Sequence, residues 1–330
     1  MGLRIPGSIT TRRFYSNYST SLSNLNRLME QNTNYRSFSR VSDNPAAAAK
    51  AFMVRNQLAR NEMYTTNLQN ANNILTTAES SARGAAESIK LAAKTLIGAV
   101  NGTNETNREV LALQFESYRD EIIKNMNNSY ADRYLFCSGT TDGAPFKMNG
   151  GQLEYNGVDL ATVTDPAVDL PFNEDIYIDI GIGLTINATG EVDPQTALKI
   201  STSGVKMLGY GLDADGLENN VCNALTKIAE LMRAPTFDSD TARKYIDKLN
   251  GMHSDILVEI SGIGNRVNYI ESNIERLADE TFTLTESQNA LEFVDPAAAI
   301  TALKTEETAY KTLLQIGPRL MQNTLFDYLR

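Results

Sequence analysis

Residues 246–291 read IDKLNGMHSDILVEISGIGNRVNYIESNIERLADETFTLTESQNAL and carry the longest regular pattern in the chain. Apolar positions recur there in alternating steps of three and four residues, and no proline interrupts them. A seven-residue repeat of this length predicts one long α-helix that packs lengthwise against partner helices. Eleven of its fourteen positions are Ile, Leu or Val: the stripe is Ile246, Leu249, His253, Ile256, Ile260, Ile263, Val267, Ile270, Ile274, Leu277, Thr281, Leu284, Gln288 and Leu291.

The N-terminal half carries a matching stripe that is rich in alanine, so neighbouring helices can approach it closely. Ser42-Asp43-Asn44-Pro45 offers an N-cap and a first-turn proline, and a helix is expected to begin there. Asn101-Gly102-Thr103-Asn104 ends the pattern, and a further helix follows. The stripe is Val54, Tyr64, Leu68, Ala71, Leu75, Ala78, Ala82, Ala85, Ile89, Ala92, Leu96 and Ala99, and the second helix has Leu111, Phe115, Tyr118, Ile122 and Met126 on one face.

The middle of the chain has a different character. Residues 141–220 contain 13 Asp or Glu against 3 Lys or Arg, while the whole chain has a net charge of −10. Short β-rich runs between Gly, Pro and Asp predict strands at Leu153–Tyr155, Ile176–Ile180 and Leu184–Ile186. An acidic, β-rich insert facing solvent is therefore expected, and its replacement by a short linker is expected to leave assembly intact. Asp213-Ala-Asp215-Gly216 lacks the later ligands of a calcium loop, which favours a surface turn.

Both ends of the chain are amphipathic segments without a core nearby in sequence. Isolated helices of this kind gain most of their stability from packing, so the ends either pair with each other or wait for neighbouring molecules. We expect the latter, with apolar stripes that no single molecule satisfies. The expected assembly interface consists of Tyr18, Leu22, Leu25, Met29, Ile300, Leu303, Tyr310, Leu314, Met321 and Tyr328.

The predicted fold class is mainly α with a β-rich insert, built as a long antiparallel helical rod from the two halves of the chain. Three domains are expected: terminal assembly segments (1–40 and 293–330), a helical rod (41–140 and 221–292) and the acidic outer domain (141–220). Pro318 lies inside the last predicted helix, where proline costs about 3 kcal/mol and casts doubt on a straight helix to residue 330.

The residue types that most often perform chemistry are scarce. The chain has 1 His, 2 Cys and no Trp. His253 lies on the apolar stripe, where a packed or register-setting role is expected. Cys137 and Cys222 match no metal-ligand spacing, no glycine-rich loop precedes a helix in a phosphate-binding arrangement, and no run of 18 apolar residues exists. We therefore predict no enzyme activity, no cofactor, no metal and no membrane insertion. The arginines of the first 40 residues are too dispersed to favour nucleic-acid binding.

Several stretches occur in an informative order. Arg4-Ile5 opens the chain, and Arg40–Ala47 (RVSDNPAA) follows. Tyr134–Thr140 (YLFCSGT) precedes Pro145-Phe146 and Tyr155-Asn156-Gly157, and the C-terminal half holds Gly264–Val267 (GNRV), Asp295–Ile300 (DPAAAI) and Leu325–Leu329 (LFDYL). In this order they resemble the flagellin superfamily and, within it, the hook–filament junction proteins. The residues matching family motifs are Arg40, Ser42, Asp43, Pro45, Tyr134, Phe136, Gly139, Thr140 and Arg266; Asn44 replaces the usual Asp, and Cys137 is inserted.

The resemblance implies a structural subunit at the hook–filament junction, outside the cell, exported by the flagellar type III apparatus without a cleaved signal peptide. It further implies partners: sister copies in a ring, the first hook-associated protein, flagellin and an export chaperone. Filament flagellins share the helical ends and remain the alternative. A rod that carries a ligand-binding β domain is a second alternative.

Overall fold

The structure is a computed structural model that describes residues 7–101, 107–137, 143–170, 175–181, 183–187, 190–193 and 196–328. Side chains at positions 7, 8, 10 and 319–328 lie outside this description. The helices are α1 (Gly7–Asn34), α2 (Pro45–Asn101), α3 (Arg108–Met126), α4 (Pro166–Asp169), α5 (Gly204–Leu208), α6 (Val221–Arg233), α7 (Ser239–Glu292) and α8 (Pro296–Tyr328). The strands are β1 (Ser129–Tyr130), β2 (Arg133–Tyr134), β3 (Phe146–Asn149), β4 (Gln152–Tyr155), β5 (Val158–Asp159), β6 (Tyr177–Asp179) and β7 (Ala197–Lys199).

The chain divides into two compact units. Unit 1 comprises residues 1–60 and 279–330, and unit 2 comprises residues 61–278. The long helices α2 and α7 each contribute residues to both units. These boundaries differ from those of the three expected domains, so the assignment of separate roles to those domains stays a prediction.

Unit 2 is organised around the predicted stripes. Every α2 stripe position from Leu68 to Leu96 is buried. The α7 stripe buries Leu249, Ile256, Ile260, Ile263, Ile270 and Leu277, whereas His253 is half-buried. The seven-residue periodicity thus identifies the faces that form the core, and the predicted fold class is confirmed.

The insert contributes short antiparallel strands to unit 2. Strands β3, β4 and β5 form one sheet in that order, with Phe146 opposite Tyr155, and β6 pairs with β7. The predicted strand at Leu184–Ile186 is wrong: within the described residues, Ile186 forms a single bridge to Val192. Leu184 and Ile186 are exposed, so they have no core surface against which a strand could pack.

The insert is packed into the helical core. The side chain of Asn127, which follows α3, accepts from the Phe146 amide at 3.0 Å and donates to the Phe146 carbonyl at 2.8 Å. Asn223 on α6 accepts from the Leu153 amide at 2.7 Å. Since buried backbone groups need such partners, helices and insert complete each other's hydrogen bonding.

Helix starts follow the predicted signals. Pro45 is the first residue of α2, and the Asn44 side chain accepts from the Ala47 amide at 3.1 Å. Asparagine therefore serves as the cap even where the resembling family carries aspartate. Helix α8 continues through Pro318 to Tyr328, and the kink expected at this proline stays a prediction. None of the helices, over the residues that are described, is sufficiently long and apolar to cross a membrane.

Candidate assembly surface

The terminal helices α1 and α8 pack against each other in unit 1. Tyr18 and Tyr310 share a hydroxyl–hydroxyl hydrogen bond of 2.9 Å, with ring centroids 5.5 Å apart. The Ser21 hydroxyl donates to Glu306 Oε1 at 2.7 Å, and Leu25 is buried. We call this contact between α1 and α8 the seam. The expectation that the terminal stripes find no partner within one molecule is wrong for the seam, because each terminal helix covers part of the other.

A close approach occurs where α8 contains Gly317. A Cβ at this position would lie 2.7 Å from Cζ of Phe14, so only glycine admits the ring without rearrangement. Beside it lies an apolar groove of about 490 Å³ lined by Phe14, Tyr15, Tyr18, Leu314, Gly317 and Pro318.

The predicted assembly residues fall into three groups. Leu25 is buried, and Tyr18, Leu22, Leu303 and Tyr310 are half-buried along or near the seam. Met29, Ile300 and Leu314 are 45%, 41% and 48% exposed, respectively, and remain available to a partner. Met321 and Tyr328 lie in α8, but their side chains are outside the described part of the structure.

The loop between α1 and α2 is tied to the end of α7. The Ser37 amide donates to the Glu292 carbonyl at 2.7 Å, and the Val294 amide donates to the Tyr35 carbonyl at 3.1 Å. Arg55 Nε donates to Glu292 Oε1 at 2.6 Å, and the Glu292 side chain is only 4% exposed. The hydrogen bond from Arg55 lowers the pKa of Glu292.

This Arg55–Glu292 clasp was not among the predicted site residues. Its two members are 237 residues apart, and neither lies on a predicted stripe. No sequence pattern near Arg55 or Glu292 identifies the other residue as its partner, so their ion pair is found only in the folded chain.

The family-motif residues serve local structure. Asp43 Oδ2 accepts from the amides of Ser39 at 3.2 Å and Arg40 at 2.8 Å, which shapes the loop before Pro45. The side chains of Arg40, Ser42, Asp43 and Pro45 are exposed. This loop is therefore preformed by its own hydrogen bonds and open to contact.

The remaining motif residues belong to unit 2. Phe136 is buried, Tyr134 is half-buried in β2, and Arg266 Nη1 on α7 donates to the Ser201 carbonyl at 2.9 Å. Burial lowers the pKa of Arg266. Arg266 thus ties the insert to α7, and the Phe136 carbonyl accepts from the Gly204 amide of the insert at 3.2 Å. Gly139 and Thr140 lie outside the described residues.

The two units differ sharply in how much apolar surface they bury. Of the 50 buried hydrophobic residues among the described side chains, only Leu25, Ala48, Ala51 and Ala299 belong to unit 1. Yet unit 1 holds half of the 24 exposed large hydrophobic residues. Val41, Phe52 and Met53 are 70%, 65% and 65% exposed. A large exposed apolar surface on a poorly buried unit is typical of an interaction surface.

We also searched the described residues for metal-binding clusters and reactive cysteines. They contain no group of three or more His, Cys, Asp and Glu side chains that could hold a metal ion. Cys137 and Cys222 are buried and form no disulfide with each other. Burial raises the pKa of Cys222 to about 12, so its thiol stays protonated and unreactive at neutral pH.

Known proteins similar to this chain carry flagellar names. No family model matches the chain. Flagellar hook-associated protein 3 of Escherichia coli K12 is 24% identical over 296 residues, covering 87% of each chain. A Vibrio parahaemolyticus structure described as flagellar and hook-associated has a TM-score of 0.59 at 17% identity, over 76% of this chain and 100% of its own. Bacillus cereus FlgL has a TM-score of 0.53 at 17% identity, over 72% of this chain and 99% of its own.

These similarities confirm the resemblance that the motifs indicated. The solved structures share the helical fold, and the sequence relative carries a hook-associated name rather than a flagellin name.

Proposed function

We propose that this chain, a relative of flagellar hook-associated protein 3, is a structural subunit of the bacterial flagellum that joins hook to filament. Similarity along 87% of both chains carries the proposal, because a match of that length is not confined to one helix or to the insert. The chain would lie outside the cell at the hook–filament junction.

Assembly through the terminal helices follows from the balance of buried and exposed surface. Burial contributes about 25 cal/mol per Å² of apolar area, and a small core supports little independent stability. With four buried hydrophobic residues among its described side chains, unit 1 lacks that area on its own. Contact with sister copies in a ring, with the first hook-associated protein on one side and with flagellin on the other would supply it.

Folding of the terminal segments is proposed to accompany assembly. Amide hydrogen exchange on the purified chain tests this. We expect weak protection in α1 and α8 compared with the α2 residues 68–96, and a gain of protection upon assembly. Strong protection of α1 in the free chain would contradict the idea.

Export is proposed to proceed through the flagellar type III apparatus without removal of a signal peptide, with a chaperone that holds the C-terminal segment. Deletion of residues 293–330 is expected to abolish chaperone binding. Retention of binding by the shortened chain would remove the chaperone proposal while leaving the junction proposal intact.

The position of the protein on the flagellum tests the main proposal. A chain with an epitope tag, expressed in cells that lack the native copy, is expected to label a single band at the hook tip. Labelling along the whole filament would instead identify a flagellin. A cell that keeps normal filaments without the protein would contradict both assignments.

A further inference from the structure

The loop at residues 211–219 surrounds the ammonium group of Lys248, which reaches it from α7. Lys248 Nζ lies 2.7 Å from Asn219 Oδ1 and 2.8 Å from Asp213 Oδ2. The carbonyl oxygens of Glu218 and Leu217 follow at 3.1 and 3.2 Å. The lysine side chain is only 16% exposed, so four oxygen atoms replace most of its water.

The loop itself is preorganised by Asp213. Its Oδ1 accepts from the amides of Asp215 at 2.9 Å and Leu217 at 2.8 Å, which leaves Oδ2 for the ammonium group. The Asp213 amide donates to the Leu217 carbonyl at 2.9 Å, and Gly216 supplies a φ of +76° for the tight turn. Asp213 Oδ1 therefore stabilises the loop through backbone amides, and Asp213 Oδ2 contacts the ammonium group.

The acceptors have the chemistry of a site for a hard cation. One carboxylate, one side-chain amide oxygen and two backbone carbonyls are the ligand types that Ca²⁺ uses, although Ca²⁺ requires distances of about 2.3–2.6 Å. The observed distances, from 2.7 to 3.2 Å, are those of N–H···O hydrogen bonds. An ammonium group has three donors, so one of them is shared between two oxygens.

We propose that residues 211–219 form a cation-binding loop whose resident cation is the tethered ammonium group of Lys248. The surface turn predicted at Asp213–Gly216 is then one half of an internal site, and Lys248 is the positioning residue that completes it. The hydrogen bond from Lys248 lowers the pKa of Asp213, which keeps this carboxylate charged.

The location explains what the site would do. Asn220 follows the loop directly, donates to the Gly209 carbonyl at 2.8 Å and caps α6 by accepting from the amides of Cys222 and Asn223 at 3.0 and 3.2 Å. The ammonium group therefore fastens the point where the chain leaves the insert and enters α6 to the side of α7. This junction would hold without any metal ion, and hence independently of the calcium concentration around the protein.

The test compares two lysines on α7. Lys244 lies one turn away, is 60% exposed and has its nearest carboxylate oxygen, on Asp215, at 3.8 Å. Removal of the half-buried cation takes the ammonium partner away from the Asp213 carboxylate, the Asn219 amide oxygen and the Glu218 carbonyl, so we expect Lys248→Ala to lower the unfolding temperature by roughly 5 °C. Lys244→Ala is expected to change it by less than about 1 °C. Equal unfolding temperatures of the two variants would overturn the proposal.

Chemical rescue separates a cation site from ordinary packing. Methylammonium chloride is expected to raise the unfolding temperature of Lys248→Ala in a saturable manner, and to leave the wild type and Lys244→Ala unchanged. Sodium chloride at the same concentration is the ionic-strength control, and equal effects of the two salts would contradict the site. Stabilisation of the wild type by millimolar calcium chloride would also overturn the proposal.

If Lys248→Ala does not fold, its refolding yield in methylammonium chloride or sodium chloride becomes the readout. Recovery only with methylammonium supports the cation site, and equal failure with both salts overturns it.

Discussion

At the scale of single residues, Glu292 shows how one buried carboxylate organises unit 1. Its backbone carbonyl accepts from Ser37, and its side chain accepts from Arg55 and from Gln288 Nε2 at 3.2 Å. A buried charge is tolerated only with such partners. The ion pair between Arg55 of α2 and Glu292 of α7 therefore depends on the ionisation of one side chain.

Acid is expected to weaken unit 1 through this residue. The pKa of Glu292 is lower in the folded chain than in the unfolded one, so its stabilisation is complete above the unfolded value of about 4.3 and is lost as the pH falls through the folded pKa. Glu292→Gln should reduce the free energy of unfolding by about 1–2 kcal/mol at pH 7 and have a smaller effect at pH 3. Urea unfolding at both pH values measures this.

Glu286→Gln, at an exposed position of the same helix, is the matched control and should have little effect at either pH. The same pH dependence in both variants would show that the clasp is not the acid-sensitive element.

Two glycines are expected to respond oppositely to alanine. A Cβ on Gly204 would lie 2.7 Å from Phe146 Cζ and 2.9 Å from Phe136 Cβ, and the latter atom is fixed to its own backbone. Gly204→Ala should thus cost about 1–3 kcal/mol of unfolding free energy through overpacking. Gly262→Ala in α7, where the added carbon meets no atom within 4 Å beyond the adjacent backbone of its own helix, should gain up to about 1 kcal/mol from helix propensity. Urea unfolding of both variants measures the difference, and a loss of stability in Gly262→Ala would be the contrary result.

At the scale of elements, α1 and α8 each have a covered face and an open one. The seam covers Leu25 and pairs Tyr18 with Tyr310, while Met29 and Ile300 remain exposed. The covered residues and the exposed residues of each helix lie on the same predicted apolar stripe. A repeat of three and four residues identifies an apolar face, but it does not identify the partner that covers each part of that face.

The exposed part of this stripe can be tested separately from the seam. Met29→Asp and Ile300→Asp are expected to leave the circular dichroism of the purified chain unchanged, since both side chains already contact solvent, and to abolish filament attachment and motility. Asn26→Asp adds the same charge at an exposed polar position of α1 and should preserve motility. Normal filaments on cells that carry Met29→Asp would exclude this face from the assembly interface.

At the scale of the whole molecule, the acidic insert belongs to the core of unit 2. Phe146, Leu153 and Ile180 are buried, and Asn127, Asn223 and Arg266 bind its backbone. Replacement of residues 141–220 by a short linker should therefore destabilise unit 2 and lower the amount of folded protein, contrary to the expectation from composition. Charge alone indicated a solvated domain, but it does not show which of the intervening apolar residues are covered by helices.

The matched experiment shortens only the segment around the Ile186–Val192 bridge. The Asn187 amide donates to the Glu191 carbonyl, and the Asp193 amide donates to the Thr185 carbonyl, at 2.7 and 3.0 Å. Substituting Asn-Gly for residues 186–192 should retain the turn, and we expect an unchanged unfolding temperature together with normal flagella. A large loss of stability in this variant would place an essential contact in this segment.

Local sequence patterns are enough to predict the helical class, the buried stripes of α2 and α7, the start of α2 at Pro45 and the resemblance to flagellar proteins. These features depend on local periodicity, capping and ordered motifs, which act over a few residues at a time. Three contacts become known only from the folded chain: Tyr18 with Tyr310, Arg55 with Glu292, and Lys248 with the loop at Asp213. Such contacts join residues far apart in the chain, and their partners are selected by the packing of whole helices rather than by any pattern near either residue.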